Sequence, residues 1–178
     1  TILLIGQGGS TQAPMTITKF TKVDRSVIKF RTLDSDSPVR IRAFLAECDP
    51  KATIIIAASK SGTTIEPTVA LMAVREAFCE YMEPEEVVRH LVAITDPGSA
   101  LEAQAKEEGW LAVFHGEPTV GGRFSALSVF GLVPAALSGI DIEDFVSHAR
   151  EAEASCSEDS IENPAIKLAS FLYDNYLQ

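Results

Sequence analysis

Basic residues are scarce in this chain. Fifteen Lys and Arg stand against 25 Asp and Glu, for a formal charge of −10. A surface of that sign repels phosphodiester backbones and anionic lipid, so neither nucleic acid nor membrane is an expected partner. Cysteine is scarce as well. Cys48, Cys79 and Cys156 lie far apart, with no C-x-x-C and no Cys/His spacing. This excludes a disulfide-stapled miniprotein, makes a metal site unexpected and fits a reducing cytoplasm. No apolar run approaches the roughly 18 residues of a membrane helix. There is no secretory leader and no initiator Met: the chain opens on the strand-like run Ile2–Ile5, as expected of a domain cut from a longer protein. Internal repeats and low-complexity tracts are missing too. What remains is 178 residues, 46% hydrophobic and 22% charged. That is enough for one domain with a real core, and it excludes disorder.

Short apolar runs alternate with longer periodic segments. Strands are expected at Ile2–Ile5, Val27–Leu33, Ala52–Ala58, Leu91–Thr95 and Leu111–Phe114. They show little polar alternation, as in a parallel sheet covered on both faces. Helical spacing falls between and after them, at Val39–Cys48, Ile65–Met82, Leu101–Glu107, Phe124–Leu137, Asp141–Ala154 and Pro164–Leu177. Pro134 predicts a kink or break in the fourth of these. Five strand–helix alternations define a doubly wound, five-stranded parallel α/β sheet flanked by helices. Ligands of such folds bind at the carboxyl ends of the strands.

The segments after the strands are therefore the candidate site. After the first comes Gly6-Gln7-Gly8-Gly9-Ser10-Thr11. Its glycines permit a sharp turn into a helix start, which suits an anion. Thr11 stands where a dinucleotide fingerprint needs its third Gly, so a nucleotide cofactor is not expected. A plain strand-to-helix turn is the other reading. After the third strand comes Ser59-Lys60-Ser61-Gly62-Thr63-Thr64. Four hydroxyls, a Gly and a Lys ahead of a helix suit a phosphate monoester, and the P-loop spacing for a nucleoside triphosphate is absent. A Ser/Thr capping loop is the alternative there. Thr95-Asp96-Pro97-Gly98-Ser99 reads as a capped structural turn. After the fifth strand, Gly121-Gly122-Arg123 brings a guanidinium that can stabilise charge developing on an oxygen, or simply pair with a carboxylate.

Together these segments resemble the phosphoglucose isomerase family. The resemblance is carried by GGS, SKSGTTIEP and VGGRFSALSVFGLVPAAL, in that order, over roughly Ile2 to Ile140. With ITDPGSALEAQAKEEG included, the pattern is most similar to the isomerase part of bacterial bifunctional transaldolase/phosphoglucose isomerases. The resemblance implies a sugar isomerase (SIS) domain, a flavodoxin-like α/β/α sandwich, over residues 1–155. It would be the N-terminal of two SIS domains, with residues 156–178 a helix leading toward the second. It implies phosphate binding by Ser59, Lys60, Ser61, Thr63 and Thr64, sugar contacts from Gly9, Ser10 and Gly122, and enediolate stabilisation by Arg123. It further implies glucose 6-phosphate and fructose 6-phosphate as ligands, no cofactor or metal, a cytoplasmic location, and room for a homodimer. Gly62 and Pro67 stand where the eukaryotic pattern has an aromatic residue and a Thr. The family's catalytic Glu, in a motif like E-S-x-G-K, has no counterpart here, so an isolated chain is expected to bind without turnover. Glu66 reads as a helix-start residue, Glu117 and His115 as weak substitutes, and His90 and His148 as remote. Two rivals stay open: a stand-alone SIS phosphosugar sensor, and the SIS domain of a phosphosugar aminotransferase, whose loop has Glu where Thr63 stands.

Overall fold

The computed structural model describes residues 1–21 and 28–176. They fold into β1 (Ile2–Gly6), α1 (Gly9–Phe20), β2 (Phe30–Leu33), α2 (Pro38–Leu45), β3 (Ile54–Ala58), α3 (Ile65–Phe78) and α4 (Pro84–Val87). There follow β4 (Leu91–Thr95), α5 (Ala100–Glu108), β5 (Ala112–His115), α6 (Val129–Leu137), α7 (Ile142–Ser157) and α8 (Pro164–Tyr176). The strands form one parallel sheet in the order β2-β1-β3-β4-β5. This is a doubly wound sheet, as expected from the sequence, in the flavodoxin-like arrangement that the resemblance implied. Its winding reverses between β1 and β3, where a crevice opens at the carboxyl ends.

The unbroken apolar strands are explained by two cores, one on each face of the sheet. Leu3, Ile5, Ile55, Ala57, Leu91 and Ala93 point to one face and pack with Phe44 of α2, Val74 and Phe78 of α3, and Leu101 of α5. Their sequence neighbours Ile2, Leu4, Ile56, Ala58, Val92 and Ile94 point to the other and pack with Phe130 of α6. α1 packs against α6. Alternate side chains thus leave water on opposite sides, as strand geometry requires. Phe78 and Phe130 are buried to within 1% on opposite faces. Each such side chain contributes about 1.5–3 kcal/mol.

Several boundaries differ from the sequence expectation for local reasons. β3 starts later, because Pro50–Ala52 forms a 3₁₀ turn whose Lys51 N–H donates to Asp49. β2 is shorter; Val27 of the expected strand lies outside the described residues, as does Leu177 of the last helix. α3 stops at Phe78, whose carbonyl accepts from Tyr81 and Met82 in a turn toward α4. The expected break at Pro134 is corrected: the chain runs as a 3₁₀ stretch over Gly122–Leu127 and leaves the helix at Ser128 instead. Ser128 is extended and its hydroxyl accepts from Phe130 N–H, starting α6 afresh, while Pro134 is accommodated inside it.

The chain divides into two compact units, Thr1–Ile140 and Asp141–Gln178, which sets α7 with α8. In the second, Asp141 caps α7 by accepting from Asp144 N–H. The buried Asn163 closes the turn to α8, donating to the Cys156 and Glu158 carbonyls and accepting from Ala165 N–H. Among the described residues no helix is long and apolar enough to cross a membrane.

Candidate functional site

The segments following β1, β3 and β5 meet at the carboxyl end of the sheet, around a cleft of about 220 Å³. Gln7, Gly9 and Ser10 line it from the first, Ser59, Lys60, Ser61, Thr64 and Pro67 from the second, and Gly122 from the third. The cleft therefore lies where β1 and β3 diverge, at the winding reversal. A larger hollow of about 710 Å³ is lined by the start of β2 and the second half of α1. It includes none of the loops that carry chemistry.

Glycine makes the convergence sterically possible. A Cβ on Gly9 would fall 2.1 Å from the Gly122 carbonyl oxygen, so the β1–α1 turn and the Arg123 loop touch backbone to backbone. Gly62 has φ +70, and a Cβ there would fall 2.5 Å from Leu101 N. The loop after β3 is thus pressed onto the first turn of α5, in a conformation glycine adopts without strain.

Two helices open on this cleft, α1 after Gly8 and α3 after Thr64, and neither start receives a side-chain cap. The first N–H groups of a helix carry its positive dipole end, so an uncapped start suits an anion. The hydroxyls are arranged in pairs. Ser61 Oγ lies 2.9 Å from Thr63 Oγ1 and accepts from Thr63 N–H at 3.3 Å. Ser59 Oγ accepts from Gly62 N–H at 3.1 Å and donates to Thr64 Oγ1 over a long 3.5 Å. Ser59 and Ser10 are buried, whereas Ser61 and Thr63 are exposed.

Lys60 lines the cleft, but its ammonium is bound to Asp96. Arg123 sits in the 3₁₀ stretch, exposed, and takes part in no ion pair among the described residues. Glu117 is committed elsewhere: Thr119 N–H and hydroxyl both donate to its carboxylate and hold its pKa below the ordinary value. His115 Nε2 lies 2.7 Å from Glu102 Oε1. Glu102 also accepts from Lys106 and Gly98 N–H, and these partners lower its pKa to about 2, with Lys106 the main cause. Glu66 lies in the first turn of α3. His90 stands ahead of β4, with Nδ1 2.8 Å from the Thr53 carbonyl, and His148 is on α7. Gln7, Ala58 and Pro67 are cleft residues that sequence reasoning did not single out as ligands. Gln7's place inside the glycine turn was the available signal.

Fold and cleft define an open α/β domain with an anion-suited crevice at its topological switch point. The chain belongs to the phosphoglucose isomerase family, whose sequence model matches residues 1–177. The glucose-6-phosphate isomerase of Synechococcus sp. (strain JA-3-3Ab) is 38% identical over 97% of this chain and 32% of its own length. The chloroplastic glucose-6-phosphate isomerase 1 of Arabidopsis thaliana is 36% identical over 97% of this chain and 28% of its own length. A crystal structure of a hypothetical protein from Thermus thermophilus superimposes with a TM-score of 0.85, at 36% identity, covering 97% of this chain and 41% of that one. A glucose-6-phosphate isomerase from Chlamydia trachomatis gives 0.74 at 26% identity, covering 91% of this chain and 30% of that one. The chain spans about a third of the length of these curated relatives.

Proposed function

We propose that this chain is the phosphosugar-binding domain of a glucose-6-phosphate isomerase, interconverting glucose 6-phosphate and fructose 6-phosphate through an enediolate. The observation that carries the reading is the meeting of three sequence-distant segments, with two uncapped helix starts, in one small polar cleft. In this reading Ser59, Ser61, Thr63 and Thr64 hold the phosphate, with Lys60 in the same loop. Hydroxyls and helix N–H groups can donate to several phosphate oxygens at once. Gly9, Ser10 and Gly122 lie along the sugar. Arg123, beside Gly122 on the loop that closes the cleft from the β5 side, stabilises negative charge as it develops on the substrate oxygens.

The proton transfer between C2 and C1 needs a carboxylate base. Glu117 is a poor one, because its carboxylate already accepts from Thr119 N–H and hydroxyl, and these bonds lower its pKa and hence its basicity. The base is assigned to a second SIS domain of the full-length protein, which residues beyond α7 lead toward. The bifunctional transaldolase setting rests on the resemblance of SKSGTTIEP, ITDPGSALEAQAKEEG and VGGRFSALS alone. A coupled assay of fructose 6-phosphate conversion tests the reading. The full-length protein should turn over, and this chain alone should not; turnover by the chain alone would place the base within it and refute the division of labour.

A further inference from the structure

Three consecutive strands, β3, β4 and β5, each deliver one group to a single contact just beyond their carboxyl ends. Lys60 Nζ lies 2.9 Å from Asp96 Oδ1 and 2.8 Å from Oδ2, and donates to the Glu117 carbonyl at 3.1 Å. The Lys60 and Asp96 side chains are only 24% and 20% exposed. The ammonium also stands 5.8 Å from the centre of the Phe130 ring, within cation–π range. The backbone extends the ladder to the same place: Asp96 N–H donates to the Lys60 carbonyl at 3.1 Å, and Gly116 N–H to Thr95 at 2.8 Å. Gly116 keeps the contact open, since a Cβ there would lie 2.6 Å from both Asp96 Oδ1 and Phe130 Cε2.

The grip on Glu117 matters because that residue leads into the loop bearing Arg123. The Glu117 carbonyl also accepts from Val120 N–H at 3.0 Å, starting the turn into Gly121-Gly122-Arg123. A Cβ on Gly122 would lie 4.0 Å from Lys60 Cδ, so the lysine stem runs alongside Gly122 while its head holds Glu117. With its charge matched by Asp96, this ammonium adds little net field to the cleft. We infer that Lys60 is a positioning residue: clamped by Asp96, it fixes the Arg123 loop relative to the phosphate loop instead of binding phosphate with its ammonium. The inference rests on the function proposed above only for the role of Arg123.

The test uses the full-length protein and fructose 6-phosphate, with Lys60→Met, Asp96→Asn and the double variant. Each single variant should lower kcat about tenfold with KM held within about twofold, since misplacing a stabilising group by about 1 Å can cost up to about a hundredfold. The double variant should be no slower than the slower single, because the two side chains act as one unit. Lys60→Arg, which keeps donors for both partners, should recover most of kcat. If Lys60→Met raises KM tenfold while Asp96→Asn leaves it unchanged, Lys60 is a phosphate ligand and the inference is overturned. Additive losses, or none, overturn it equally. Asp96→Asn alters one atom and carries the test alone if Lys60→Met does not fold. Amide hydrogen exchange of residues 117–123 gives a readout independent of turnover: it should quicken in both single variants, and unchanged exchange overturns the clamp. A wild-type protein without isomerase turnover would refute the proposed function, while the exchange result would still judge the clamp.

Discussion

The β3–α3 and β4–α5 connections are neighbours at the same end of the sheet, and in composition they look alike. Each carries hydroxyls, a glycine with positive φ (Gly62 at 70°, Gly98 at 77°) and a hydroxyl residue at the helix N-cap. Their hydrogen bonds differ. In the second loop Ser99 Oγ accepts from Glu102 N–H at 3.0 Å and meets Thr95 Oγ1 at 2.6 Å, while Gly98 N–H donates to the Glu102 carboxylate. The loop satisfies itself and its helix. In the first, Thr64 makes no capping bond and meets Ser59 only at 3.5 Å. Its other hydroxyls bond within the loop, Ser61 to Thr63 and Ser59 to Gly62 N–H, and none caps the first N–H groups of α3. Hydroxyl content therefore does not separate the two loops; what separates them is whether a loop hydroxyl caps the helix that follows.

Four variants of the full-length protein break or sharpen this contrast. The largest effect is expected outside both loops. Arg123→Ala should lower kcat for fructose 6-phosphate by about 10²–10³, as for loss of a charge-stabilising donor, with KM nearly held. Steady-state kinetics would show it. Next comes the open loop. Ser59→Ala with Thr64→Ala should raise KM about 10–100-fold and leave kcat within a few-fold, since two bonds to a charged phosphate are lost. If both variants lose only affinity, the division between anchoring and chemistry fails. The self-satisfied loop should behave oppositely: Ser99→Ala should leave KM and kcat unchanged and cost about 1 kcal/mol of stability in urea unfolding, the usual loss of an N-cap.

The smallest effect is on acid stability. Glu102 is held down from 4.5 to about 2 by Lys106, Gly98 N–H and His115. Its folded pKa lies below its unfolded one, so its contribution is complete above about 4.5 and lost as the pH falls toward 2. The melting temperature should drop across that window, and Glu102→Gln should flatten that part of the curve.

Much of the fold was legible because parallel strands buried on both faces leave uninterrupted apolar runs such as Ile54–Ala58. Helix ends were legible where chemistry marks them, as at Gly109 just beyond the expected helix Leu101–Glu107, whose cap is Ser99. α1 was legible only at its glycine start, because Pro14 and its Thr-rich sequence blur the period. The break at Ser128 was hidden behind the more conspicuous Pro134, although a serine cap decides it. In the site, Gly9, Ser10, Ser59, Lys60, Ser61, Thr64 and Gly122 could be named from motifs; Gln7, Ala58 and Pro67 were not named as ligands, and Thr63 and Arg123, which were, are not among the residues lining the cleft. The commitment of Lys60 to Asp96 could not be read from motifs, because the two are 36 residues apart and meet only through strand order.

The contrast between the two loops is tested most directly by calorimetric titration of fructose 6-phosphate into the full-length protein and two variants. Saturable binding should weaken at least tenfold on joint replacement of Ser59 and Thr64 by Ala, and should be unchanged by Ser99→Ala. Binding indifferent to Ser59 and Thr64, or weakened equally by Ser99→Ala, would contradict the assignment of the β3–α3 loop as the phosphate seat.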